Sequence, residues 1–580
     1  MKSSSLVLLP FLGLFGLAAF SGCATGVADT GEEPPPDELN SDGGVVAADG
    51  APLPPVKCTP GQCPTGFYNL DGKDGANCGC EYQCTKRGDD DPFDTGFIDG
   101  NCDGSDGMVN ECVYVSVSGG VDTGDGTRAK PVKTIAKAVV IADAGTKKRP
   151  VCLSAEKYNE AVELPSGVSL YGGFDQADPT FPFRRSFKRA GQDIATTIVA
   201  PTAGPSAGTG IFVKEVKEEM HIENLTLDVK IGEAQNGQSV YGIRIGGGTA
   251  QMFVRKNVFL LGNANPGAAG ASGTAPVSAA ANGVQGGTGC TSCSGFGAGG
   301  AAPTCSAPGG RGGNGSNGSS NDGAAGSLGF GGASGGGGGG GTSCISSGSG
   351  GPGNGGNGGG SGIVPSSGGT GAASLGTIVN GLYVAANGVS GTAGGNGGGG
   401  GGGGGGGSSS HSWPSCNPDG AGGGGSGGCG GAGGPPGIGG AGGGSCIGVL
   451  VGSGSAVIEA NLFTIGNGGL GGIGGGGAPG QGGGTGLGGG TGGQTAGRGG
   501  NGGNGGNGGN GAGGSGGGGG GGGHSVRIAR GATAVVTEAT NLGALGTAGL
   551  GGDGGGGAGG APGGTKGTGG LAKELLVITN

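Results

Sequence analysis

The stretch YGIRIGGGTAQMFVRKNVFLLGN at 241–263 is written again, with changes, as IGVLVGSGSAVIEANLFTIGN at 447–467 and SVRIARGATAVVTEATNLGALG at 525–546. Each copy has a strand-like stretch, a turn of small residues, a second strand-like stretch, and then Asn before Leu or Val. Alternation of apolar and polar positions marks a half-buried strand. TIVNGLYVAANG at 377–388 reads as a shorter fourth member. A unit this small can bury its apolar positions only against the units above and below it, as in a solenoid. The copies are therefore read as successive coils of one β-helix, an all-β fold, with LAKELLVITN (571–580) as a last strand.

Toward the N-terminus the same short strands continue at 210–216, 221–229 and 253–262, with Asn and Gly at the corners. CVYVSVSG (112–119) alternates in the β sense, DTGDGT (122–127) is turn chemistry, and 151–174 reads as short strands with turns between. In 131–145, Val132, Ile135, Val139 and Val140 fall on one face, between Pro131 and Gly145, which predicts a short amphipathic helix. Such a helix would cap the first coil, where open strand edges invite aggregation.

The order VYVSVSG, DTGDGTRAKPVKTIAKAV, YNEAV, LPSGVSLYGGF resembles the entry of a right-handed parallel β-helix of the pectin-lyase-like superfamily. Together with CEYQC (80–84) and NCDGSDG (101–107), it is similar to a family of glycine-rich surface lipoproteins of myxobacteria. The resemblance is specific over about 58–262 and compositional beyond. It implies a β-helix and little about activity, because that superfamily holds both enzymes and inert scaffolds.

Glycine supplies 172 of the 580 residues, mostly in runs at roughly 264–374, 391–444, 468–523 and 547–570. As insertions between coils, these runs would all leave from the same side. A run without side chains reads most simply as a disordered loop. The alternative is the glycine analogue of polyproline II, with about three residues per turn, packed so that neighbours share backbone hydrogen bonds. NGGNGGNGGNG (501–511) would then place Asn501, Asn504, Asn507 and Asn510 on one ridge. Such bundles resemble those of glycine-rich antifreeze proteins and phage tail-tip adhesins. Cysteines at 290, 293, 305, 344, 416, 429 and 446 favour order, since a flexible filler needs no staples.

The chain opens with Lys2 and an apolar run at 6–20, too short for a membrane span and followed by FSGC (20–23). FSGC resembles the lipobox of bacterial lipoproteins, which implies cleavage after residue 22, acylation of Cys23 and, with Ala24 next, the outer membrane. Several acyl chains would anchor stably. Residues 23–57 form the anchor and an acidic, Pro-rich tether, which could reach about 110 Å when extended. A Cys- and Asp-rich module follows at 58–111, then β-helix at 112–263, then coils interrupted by glycine runs at 264–580. Cys58, Cys63, Cys78, Cys80 and Cys84 have no accompanying His and the wrong spacing for a zinc ribbon, so disulfides are expected. Sixteen Cys less Cys23 leaves an odd number, so at least one thiol is free or paired outside the chain.

Asp99, Asn101 and Asp103, with Gly104, match the opening of a calcium loop, but Glu111 falls one residue late for the closing ligand. Structural calcium and a plain Asp/Gly turn cluster are both open; no other cofactor is expected. His221, His411 and His524 are isolated and read as surface or turn residues. Glu215, Glu218, Glu219, Glu223 and Asp228 are the acids a β-helix lyase or hydrolase would need, yet their spacing fits exposed turns. Arg184, Arg185, Lys188 and Arg189 read as a solvated turn. SSSHSWPSCNPDG (408–420) holds the sole Trp, and His411 with Trp413 is a candidate contact tip. Net charge −10 and pI near 4.9 argue against nucleic acid. The expectation is a non-enzymatic lipoprotein facing the cell exterior, scaffold or adhesin, with a polysaccharide or neighbouring cell surface as partner. Carbohydrate binding by the β-helix face or Trp413 is the alternative; polysaccharide lyase or hydrolase activity comes third.

Overall fold

The computed structural model describes residues 59, 62–70, 72–73, 76–80, 82–178, 181–186, 188–189, 192–234, 236–293, 295–317, 322–330, 349–373, 375–408, 419–494 and 498–579. Residues 1–58 lie outside this set, and the export signal, Cys23 and the tether at 24–57 lie there with them.

The described chain is nearly all β, and its large sheets are built from parallel strands. One sheet runs from Val113–Val115 through Val151–Ser154, Leu170–Asp175, Met220–Glu223, Gln251–Arg255 and Ser455–Glu459 to Val535–Ala539. A second runs from Lys157–Tyr158 through Thr196–Val199, Leu225–Val229, Val258–Leu261 and Leu462–Thr464 to Leu542–Ala544. The third runs from Val162–Leu164 through Thr209–Val213, Val240–Ile245, Cys446–Val451 and Ser525–Gly531 to Ala572–Ile578. From Thr209 onward the chain visits third, first and second sheet in turn and then repeats. This part is called the stem below.

Inward side chains make the stem core. Gln251–Arg255 and Ser455–Glu459 alternate half-buried and buried, and they pair in register from Gln251↔Ser455 to Arg255↔Glu459. Phe259 and Phe463, both fully buried, stack one above the other with ring centroids 4.4 Å apart. Burying each ring is worth about 1.5–3 kcal/mol. At the corner between first and second sheets, Asn224, Lys256, Ala460 and Thr540 take positive φ of 51–56°. The next residues make a ladder: the Asn257 amide N–H donates to Asn461 Oδ1, and the Asn461 N–H to Asn541 Oδ1. Their Nδ2 groups donate to the carbonyls of Ile222, Val254 and Ile458. The asparagine that precedes Leu or Val in each sequence copy is this ladder, which satisfies polar groups at a buried corner.

The end at Val113 is covered by an α-helix, Ile135–Asp143. Its free N–H groups are met by Thr134, Asp122 and Glu160. The buried face is Ile135, Ala138 and Ala142, and Val140 is 64% exposed, so the expected apolar stripe is corrected. Val132 lies outside the helix, bridged to Val115.

The expected fourth coil at 377–388 is also corrected. Thr377–Val379 and Leu382–Val384 pair antiparallel as a hairpin outside the three sheets. Its Tyr383 packs with Tyr241, Ile447, Leu450 and Val526 on the outer face of the third sheet. That second cluster explains why Cys446–Val451 is buried throughout and reads as an unbroken apolar run.

The glycine runs enter between a second-sheet strand and the next third-sheet strand: after Leu261, after Thr464 and after Ala544. They form one hydrogen-bonded bundle, the sheaf, with a period of three. In the run 498–523, amides from Gly500 to Gly521, every third residue, donate to 386–407. Gly502 to Gly523 donate to 469–490, and Gly516, Gly519 and Gly522 to Pro562, Thr565 and Thr568. Its carbonyls accept from 350–372, 422–443 and 549–558. Each residue of a triplet therefore faces a different neighbour. A Cβ on Gly506 would lie 2.1 Å from the carbonyl oxygen of Asn357, so this spacing requires glycine.

Candidate functional site

Two places concentrate polar side chains. The first is the outer face of the first sheet, beneath the Asp-rich segment. Phe93 stacks on Tyr171 with centroids 4.0 Å apart. Asp106 and Arg185, both with fully buried side chains, meet at 2.6 Å. Arg185 also lies 3.6 Å from Glu223, which sits 3.9 Å from Arg255, and Arg255 reaches Glu459 at 2.6 Å. His221 is stacked with Tyr171 and Phe253, its Nδ1 2.9 Å from Glu223 and its Nε2 3.2 Å from Glu219. Burial pushes the Asp106 carboxyl up to about 7, against the opposing pull of the Arg185 guanidinium. Each charge faces an opposite charge, which is the arrangement of an anchor: losing one partner of a buried pair costs several kcal/mol, about 3–5.

This cluster corrects two sequence readings. Arg185 is buried in an ion pair and Arg184 lies over the Tyr82 ring, so these two do not belong to a solvated turn, whereas Lys188 is exposed as expected. Glu215, Glu218 and Glu219 are exposed as expected, but Glu223 is buried. In the local sequence Glu223 differs from its exposed neighbours only in sharing the outward phase of His221, on the sheet face that the Asp-rich segment covers.

The calcium candidates lie beside this cluster. Asp99 accepts from the amides of Asp103 and Gly104 and from the Tyr82 hydroxyl. Asn101 accepts from the Asp103 amide and donates through Nδ2 to Asp103, which also accepts from Val109 N–H. Among the described residues, no group of three or more His, Cys, Asp or Glu is placed to hold a metal. Disulfides Cys63–Cys80 and Cys84–Cys102 staple the module, and Cys112–Cys152 ties its end to the first sheet.

The second place is the edge of the sheaf. Along 501–510 the exposure repeats as exposed, half-buried, buried, with the asparagines at each exposed position. Their oxygens are not free: Asn501, Asn504, Asn507 and Asn510 accept from the amides of Gly492, Gly489, Gly486 and Gly483. Asn396 serves Gly433, and Asn387 serves Gly442, in the same way. Cys305–Cys429 and Cys290–Cys293 are the described sheaf disulfides. Among the described residues Cys446 is a free thiol, and burial pushes it up to about 12.

His411 and Trp413 lie outside the described residues; the flanking Ser408 and Asp419 are buried, Asp419 accepting from Ser292 N–H. His524 is corrected from a surface residue to a buried one. Its Nδ1 accepts from Leu571 N–H, which leaves the ring proton on Nε2, 2.8 Å from the Leu375 carbonyl. Comparison with protein families, curated proteins and solved structures finds no match for this chain.

Proposed function

We propose that this chain is a non-enzymatic scaffold or adhesin, held on the outer membrane through Cys23 and carried outward by the tether at 24–57. Its stem is read as a right-handed parallel β-helix and its sheaf as polyglycine II helices packed side by side. The observation that carries this reading is the sheaf itself. Run 498–523 has donors to three neighbours and acceptors from three others. A lattice held by backbone alone gives stiffness and reach without a side-chain pocket, which suits a projecting structural element.

The test displays the chain on cells beside a Cys23→Ser variant. The parent is expected in the membrane fraction, open to added protease, and the variant in the medium. Equal release of both would overturn the anchor. Turnover of pectin-like polymers, lost in Glu219→Gln and Glu223→Gln, would overturn the non-enzymatic reading. A carbohydrate-binding reading is favoured by the half-buried rings of His221 and Phe253 on the sheet face, flanked by Glu219 and Arg255. Glycan-array binding lost on Phe253→Ala would support it.

A further inference from the structure

The sheaf ends differently along its length. In the part near the stem, Gly468, Gly471, Gly474 and Gly477 donate to the carbonyls of Thr547, Leu550, Asp553 and Gly556. Run 547–556 thus covers run 468–477. Beyond it, the same phase of the same run continues with Gly483, Gly486, Gly489 and Gly492. Those amides donate to side-chain oxygens of Asn510, Asn507, Asn504 and Asn501, at 2.9, 3.0, 3.3 and 3.0 Å.

The sequence switches at the same point. Asn501, Asn504, Asn507 and Asn510 are exposed, while Gly513, Gly516, Gly519 and Gly522, next in that phase, are buried. Glycine stands where a covering run lies, and asparagine where none does among the described residues. The flanking runs are open as well. A Cβ on Gly355, Gly358, Gly482 or Gly488 would meet nothing nearer than 3.5 Å. This chain's own packing does not require glycine at those positions, and they leave a row bare enough for another run to approach.

We propose that the ridge Asn501, Asn504, Asn507, Asn510 is an edge seal. Its amide oxygens stand in for the carbonyls of the run that is missing there. They thereby keep a glycine run of a second copy of this chain from docking in the row that run 547–556 fills nearer the stem. An open edge with unmet N–H groups is a template for another chain, as at a sheet edge. The inference rests on the sheaf being an ordered lattice.

The test compares the full oxidised chain with Asn501→Gly/Asn504→Gly/Asn507→Gly/Asn510→Gly by sedimentation velocity over a concentration series. The variant is expected to shift to dimers or larger species where the parent does not. At dilutions where it is monomeric, exchange at Gly486 and Gly489 should be up to about tenfold faster, as for one lost hydrogen bond. Equal mass for variant and parent at every concentration would overturn the proposal. If amides 514–523 are protected in the parent but not in the quadruple variant, Asn504→Gly/Asn507→Gly is read by the same criteria. If they exchange freely in the parent too, the lattice reading itself has failed.

Discussion

The stem and the sheaf both bury backbone hydrogen bonds, but side chains decide the first and their absence decides the second. In the stem, Ile458 and Val254 point inward in register, and the layers hold because Phe259 sits on Phe463. In the sheaf, Gly427 approaches Gly400 so closely that a Cβ would lie 2.0 Å from its carbonyl oxygen. The stem reads with a period of two and the sheaf with a period of three. The comparison teaches that a glycine-rich segment can be ordered without a hydrophobic core, provided that its neighbours supply partners for every phase. The stem supplies those neighbours by launching all the runs from one corner.

That contrast can be broken at several points. The largest effect is expected in the stem, where Phe463→Ala removes a stacked ring and should cost about 3–5 kcal/mol by denaturant unfolding. A cost below that of an exposed substitution would mean the stem core does not carry stability. In the sheaf, Gly503→Ala puts a Cβ 2.1 Å from the Asn354 oxygen. It should cost about 1–3 kcal/mol by overpacking and strip protection from Gly353 and Gly356, with stem amides unchanged. Gly488→Ala, at an open edge position, should instead be neutral or stabilising by about 0.4–1 kcal/mol. Equal effects of the two alanines would contradict a close-packed lattice.

The smallest effect is a pH dependence where stem and sheaf meet. Burial holds the His524 ring below its ordinary value of 6.5. The unfolded chain then binds the proton more readily, so this contribution is full above about pH 6.5 and is lost as pH falls below it. Protonation would also remove the acceptor for Leu571 N–H. The protection of Leu571, relative to the intrinsic exchange rate at each pH, should therefore fall below that pH, and His524→Gln should flatten the response.

Much of the stem was legible because its signals are local. The alternation in MFVR and AVIE, and the Asn before Val258 and Leu462, report their own surroundings. The hairpin at 377–384 was misread because its strands have the same composition, and pairing direction is a tertiary choice. Arg185, Asp106 and Glu223 were missed because they are distant in sequence and meet only when the Asp-rich segment folds onto the sheet. The exposed ridge at 501–510 was readable from the triplet. Its inward hydrogen bonds were not, although the change from Asn510 to Gly513 in one phase marks where the covering run begins.

The most direct test of the account is amide hydrogen exchange on the oxidised chain, read at the glycines of 391–407, 422–443 and 498–523. The account predicts slow exchange at the two donor phases of 498–523 that face neighbouring runs throughout, from Gly500 and from Gly502, at levels comparable to the strands of the stem. The asparagine amides of 501–510, exposed on the ridge, should exchange faster. Uniformly free exchange across these glycines, beside a protected stem, would contradict it.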